Sequence, residues 1–158
     1  MLGQARCRFL AIAVCLVLLA AGLQGCILAH IGDSVQRAGV TESGRRRLLQ
    51  EAVKDFHNAI YWGKPNRAAA YVVPERRQEV ARQLHTMRRK ERIVETNVDF
   101  VSYGPDARSA EVDVMYKYYR VPMFVVNERL EREQWTFSMS TGWLLEERAV
   151  VDLERGCV

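Results

Sequence analysis

Residues 94–121 read VETNVDFVSYGPDARSAEVDVMYKYYRV, and the fold turns on how this stretch alternates. Val94, Val98 and Phe100 fall on one side of an extended chain with Thr96 between them, and Glu95, Asn97 and Asp99 fall on the other. Gly104-Pro105-Asp106 is turn chemistry. Beyond it Val112, Val114, Tyr116 and Tyr118 oppose Glu111, Asp113 and Lys117. A period of two sustained this long predicts two strands, the second over residues 109–121, each with one apolar and one polar face. A third strand is expected at 129–140, with Trp135, Phe137 and Met139 on one side and Arg132, Gln134 and Thr136 on the other. Thr141-Gly142 then turns into a fourth over 143–151. Short connections predict antiparallel pairing, and one polar face per strand predicts a sheet covered on its other side.

Upstream the period changes. From Arg46 to Trp62 the apolar residues Leu48, Leu49, Ala52, Val53, Phe56, Ala59 and Ile60 recur at intervals of three and four, the signature of one helical face. Thr41 or Ser43 can cap its start, and Gly63 with Pro65 ends it. A short helix is expected over 66–72. A third begins at Pro74, where a missing N–H costs nothing, and carries Val80, Leu84 and Met87 on its apolar stripe. Glu75 and Glu79 near its start and Arg88, Arg89, Lys90 and Arg92 near its end suit the helix dipole. Helices gathered first and strands last predict an α+β fold: N-terminal helices packed on a curved, mainly antiparallel four-stranded sheet.

This order resembles the cone-shaped, cystatin-like superfamily of nuclear-transport-factor-two-like proteins over residues 45–152. The features that carry it are Ala59-Ile60-Tyr61-Trp62-Gly63-Lys64-Pro65, the small helix with Ala68-Ala69-Ala70-Tyr71, Glu133-Gln134-Trp135 and Gly142-Trp143-Leu144-Leu145-Glu146. The resemblance implies a pocket between sheet and helices, used by some members for catalysis and by others for binding. Candidate pocket residues are His57, Tyr61, Tyr71, Tyr116, Tyr118 and Trp135.

The first 26 residues have their own logic. Arg6 and Arg8 open a positive segment, Phe9–Ala21 is apolar, and Leu23-Gln24-Gly25-Cys26 closes it. The run is shorter than the roughly 20 apolar residues that span a hydrocarbon core, although Ile27-Leu28-Ala29 extends it. The segment resembles bacterial lipoprotein signals, which implies cleavage before Cys26 and lipid attachment there; an uncleaved helical anchor is the other reading. The resemblance implies the periplasmic face of the outer membrane over the inner membrane, because Ile27 stands where an aspartate favours inner-membrane retention. The expected layout is a signal at 1–25, a tether at 26–44, the α+β domain at 45–153 and a loose tail at 154–158.

Loss of Arg6 and Arg8 with the leader takes the net charge from +4 to +2, too little for a nucleic-acid binder driven by bulk charge. Cys7 and Cys15 leave as well, so Cys157 has no intramolecular partner and is either a free thiol or an intermolecular disulfide. His30, His57 and His85 show no ligand spacing, and neither a metal nor a cofactor is expected. His57 sits near the apolar stripe, where it lines a pocket mouth or lies on the helix surface. Steroid isomerases of the resembled fold use a carboxylate base with tyrosine and protonated-aspartate donors. Asp99 and Asp113, however, are expected on the polar face as solvated carboxylates. Arg45-Arg46-Arg47 and Arg88-Arg89-Lys90 read as solvated helix faces or as contacts for anionic lipid or an acidic partner.

Val121-Pro122-Met123-Phe124-Val125-Val126 joins two strands yet is apolar throughout. It either buries against the helices or a dimer partner, or exposes Met123, Phe124 and Val125 as a docking site. The sequence thus leads to a lipid-anchored bacterial envelope protein whose domain binds an envelope protein or a small apolar ligand. A pocket enzyme or a lipid carrier of the same fold are the alternatives.

Overall fold

Thr41 starts the first helix. Its backbone is extended (φ −92, ψ 154) and its hydroxyl accepts a hydrogen bond from the Gly44 N–H at 3.1 Å, capping α1, Glu42–Tyr61. A computed structural model describes residues 39–151. The leader, Cys26, His30 and the tail with Cys157 lie outside the described residues. After α1, Gly63 (φ +60) turns the chain into α2, Pro65–Ala69, and a 3-10 turn at Pro74–Arg76 leads into α3, Arg77–Lys90.

Four strands follow: β1 (Glu91–Tyr103), β2 (Ser109–Arg120), β3 (Val126–Ser138) and β4 (Gly142–Val151). They pair in sequence order, every neighbour antiparallel. Helices first and a curved antiparallel sheet after is the α+β architecture expected from the sequence. Leu49, Val53, Phe56 and Ile60 of α1, with Val80 and Leu84 of α3, close on Val112, Val114, Tyr116, Trp135, Trp143 and Leu145 of the sheet.

The alternation of β2 holds: Val112, Val114, Tyr116 and Tyr118 are all buried. That of β1 does not. Register shifts between Ile93 and Glu95 and between Val98 and Phe100 leave Val94 and Asp99 as extra residues. Each bulge moves the following residues to the opposite face. Opposite the inward Val112, Val114, Tyr116 and Tyr118 therefore stand Val101, Val98, Thr96 and Ile93. Val94 and Phe100, expected with Val98 on the core side, are turned out, and Phe100 is 57 % exposed. Met139, expected in line with Trp135, lies past the end of β3 in the turn and is exposed.

Arg45 also departs from its expected place on a solvated face. It is buried, donating from Nε to the Asp106 carbonyl at 2.7 Å and from Nη1 to the Gly39 and Val40 carbonyls at 3.0 and 2.8 Å. Asp106 and Ala107 adopt the left-handed region (φ 56 and 45) in the β1–β2 connection, and Arg45 ties that connection to the start of α1. The Arg45 carbonyl in turn accepts from Trp143 Nε1 at 2.8 Å.

The bulged register makes opposite demands on two phenylalanines. Phe100→Ser should change unfolding free energy by no more than about 0.5 kcal/mol, as for a surface site. Phe56→Ala should cost about 3–5 kcal/mol. Urea unfolding followed by circular dichroism checks both, and a large loss in the Phe100 variant would contradict the register.

Candidate functional site

The concave face of the sheet is divided along its width. Under β1 and β2 it is aliphatic, and a cavity of about 360 Å³ lies there against α1. Leu49 and Val53 form one wall and Val98, Val101, Val112 and Val114 the other, with Lys54, Asn58 and Tyr103 also lining it. Burial raises the Tyr103 phenol above its ordinary value, against the nearby positive charge of Arg46. The titratable group deepest in the cavity wall is His57, 5 % exposed. Of the two places the sequence leaves open to it, the helix surface is not the one taken: α1 points His57 at the sheet, not at water.

Under β3 and β4 the same face is ionic. Glu131 and Glu133 point inward with Trp135, and Glu133 is wholly inaccessible to solvent. Trp135 Nε1 donates to Glu133 Oε2 at 3.1 Å. His57 Nε2 stands 3.3 Å from the same oxygen but is poorly aligned for a hydrogen bond. Glu133 Oε1 has no hydrogen-bond partner among the described residues. On the other side of the ring, Tyr116 Oη lies 2.8 Å from His57 Nδ1. Burial pushes the Tyr116 phenol well above its ordinary value; Glu133 and Glu131 reinforce the effect, while Arg148 and Arg129 oppose it. The phenol therefore keeps its proton, and Tyr116 Oη and His57 Nδ1 share one hydrogen bond.

Glu131 is held by two guanidiniums. Arg129 Nε reaches its Oε1 at 2.5 Å, and Arg148 Nε bonds its Oε2. Arg129 also donates to Glu91 Oε2 at 2.6 Å and to Met87 Sδ at 3.2 Å, and it lies 4.6 Å above the Tyr118 ring. Burial works against the charge of both arginines. For Arg129 the carboxylates of Glu131 and Glu91 more than offset it, and for Arg148 the Tyr116, Glu131 and Glu133 side chains do so; both are raised.

Of the six candidate pocket residues, His57, Tyr116 and Trp135 come together around Glu133, and Tyr118 floors the Arg129 site. Tyr61 lies outside the cavity, exposed and edge-on to Trp62. Tyr71 also lies outside it, donating to Asp55 Oδ2 at 3.1 Å. Asp99 is exposed, as expected. Asp113 is on the outer face, as expected, but it is not solvated. Arg132 grips both its oxygens at 2.8 Å, and that hydrogen bonding holds its carboxyl below the ordinary value. No group of three or more potential metal ligands occurs among the described residues.

Arg129, Glu131, Glu133 and Arg148 were missed in the sequence. Alternation carried back from Trp135 places Glu133 and Glu131 on the core side, so a signal for them existed. None existed for Arg148. A bulge beside Trp135 makes Glu146 an extra residue, so that Arg148, and not Glu147, follows Leu145 on the inner face.

No protein-family model matches this chain, and no curated protein sequence matches it. Among solved structures it is similar to a ketosteroid isomerase-like protein from Erwinia carotovora atroseptica (13 % identity, 67 % of this chain and 95 % of that one, TM-score 0.53). It is also similar to a SEC-C motif containing protein from Rhodopseudomonas palustris (18 %, 61 % and 73 %, 0.52). A protein of unknown function with cystatin-like fold from Methylobium petroleophilum gives 11 %, 67 % and 76 %, and 0.50. The fold is the cystatin-like α+β cone. At these identities the likeness extends to fold alone.

Removing one member of the ionic half should be costly. Glu131→Ala leaves the largely buried Arg148 guanidinium without a carboxylate and Arg129 with Glu91 alone, and should destabilise the domain by about 3–5 kcal/mol in urea unfolding. Its stability should also fall at both ends of the pH scale. The Asp113 contribution is complete above about pH 4 and is lost as pH drops through its lowered folded value. The Tyr116 contribution is complete below about pH 10 and is lost as pH rises through its raised folded value. Asp113→Asn should flatten the acid limb of a stability–pH curve and Tyr116→Phe the alkaline one.

Proposed function

We propose that this chain is a lipid-anchored bacterial envelope protein whose cone binds a small apolar ligand in the cavity under β1 and β2. The observation that carries the binding reading is the composition of that cavity. Its volume falls in the range of small-molecule sites, and its lining sets Leu49, Val53, Val98, Val101, Val112 and Val114 beside a smaller polar group that includes Gln50, Lys54, Asn58 and Thr96. The orientation of His57 favours binding over catalysis. One ring nitrogen is engaged by Tyr116, and the other stands 3.3 Å from Glu133 Oε2. A general base needs a free nitrogen within hydrogen-bond reach of its substrate. The inward grouping of Tyr116, His57 and Glu133 is what an enzyme of this fold would need, but here its polar atoms turn on one another.

Anchoring rests on residues 1–26, and the outer-membrane destination on Ile27 after the cysteine. Among the described residues no helix is long and apolar enough to cross a membrane. Several acyl chains on Cys26 would hold the domain stably to a bilayer. Protein purified from bacterial membranes should begin at Cys26 and carry the mass of a diacylglycerol and an acyl chain. Cys26→Ala should accumulate as unprocessed precursor.

The cavity is tested with 1-anilinonaphthalene-8-sulfonate, an anionic probe whose apolar ring system fluoresces on leaving water. Saturable binding of about one probe per domain is expected. Val98→Phe, which fills the cavity from a half-exposed position, should weaken it at least tenfold with an unchanged melting temperature. Equal binding by the two proteins, or no saturable binding, would refute the reading.

A further inference from the structure

We propose that the β2–β3 hairpin tip docks on an anionic lipid bilayer, dipping Met123, Phe124 and Val125 into the interface while basic side chains meet the headgroups. The location of that bilayer rests on the anchoring reading above; the contact itself does not.

The tip is apolar and uncovered. Val121, Met123, Phe124 and Val125 are all exposed, Phe124 by 79 %, and the Phe124 ring leans on Tyr119 with centroids 5.4 Å apart. The alternative of burial against the helices is thus not realised. Behind the tip stands a basic collar. The Val121 N–H donates to the Lys90 carbonyl at 3.0 Å, which brings the end of α3, with Arg88, Arg89 and Lys90, to the base of the hairpin. Pairing of Glu91 with Arg120 and of Arg92 with Tyr119 adds Arg92 and Arg120 at the same end. All five cations are exposed. The acidic residues there are fewer: Glu91 is committed to Arg129 and Arg120, and Glu128 stands across from Lys117.

An apolar point backed by a ring of cations complements a surface with apolar depth and anionic headgroups. Reach permits it. The tip lies at the end of β2 away from Gly39, about 40 Å along its 12 residues. The chain between Cys26 and Gly39 can extend to at most about 45 Å. A domain held by lipid on Cys26 can therefore lie along the bilayer with its tip on the same leaflet.

The test uses the full chain purified from membranes, with Phe124→Cys and Cys157→Ser and a nitrobenzoxadiazole label at position 124. It is compared in vesicles of phosphatidylethanolamine with phosphatidylglycerol, in phosphatidylcholine vesicles and in detergent. Blue-shifted emission and about fivefold or greater protection from iodide are expected in the phosphatidylglycerol vesicles alone. Lys90→Glu with Arg120→Glu should abolish both. Equal quenching in both vesicle types would overturn the proposal. So would crosslinking of position 124 to protein in the phosphatidylglycerol vesicles, which would place the tip against a second copy or a partner. The mass of the same sample reports whether Cys26 carries lipid. If it does not, vesicles added to the protein give the same reading at the tip, so anchor and tip stand or fall separately.

Discussion

Two carboxylates on the concave side of the sheet constrain everything around them. A buried carboxylate is tolerated only when paired or hydrogen-bonded, and Glu131 and Glu133 are adjacent on one face of β3. What packs over them is accordingly cationic or carries an N–H: Arg129, Arg148, the Trp135 indole and the His57 ring. The cations need support in turn, and they find it over the faces of Tyr116 and Tyr118. Polar demand is thereby drawn to the β3–β4 side. The β1–β2 side has no buried ion pair among the described residues and is incompletely filled, and that is where the cavity lies.

Bulges make this division possible. In β4 one extra residue exchanges Glu147 for Arg148 on the inner face, reversing the charge offered to Glu131. In β1 two extra residues turn out Val94 and Phe100 and bring in Val101 and Ile93. Bulges also bend and twist a strand. The curvature that forms the cone and the choice of residues inside it therefore have one origin.

The cone fold hosts unrelated activities, so function has to be argued from its contents. Here Glu131 is held by two guanidiniums, His57 and Glu133 face one another, and aliphatic side chains form half the lining of the cavity. The described domain also has two distinct ends. One carries Gly39 and the entry of the chain, packed against Phe137 and Leu48; the other carries an apolar tip among cations.

Element order, helix faces, the Thr41 cap and the antiparallel meander were legible in the sequence because they depend on local periodicity and turn chemistry. His57, Tyr116 and Trp135 face the core for the same reason, each lying on or beside an apolar stripe. Only the tertiary structure decided which polar residues join them. Glu133 is charged in sequence and becomes core through its neighbours, and Arg148 reaches Glu131 through a bulge that no residue pattern announces. Arg45 and Asp113 look like solvated charges until carbonyls and a guanidinium from distant segments close on them. Periodicity records which way a side chain points along its own strand or helix; what it meets there is set by register across strands, a non-local quantity that one misplaced residue inverts.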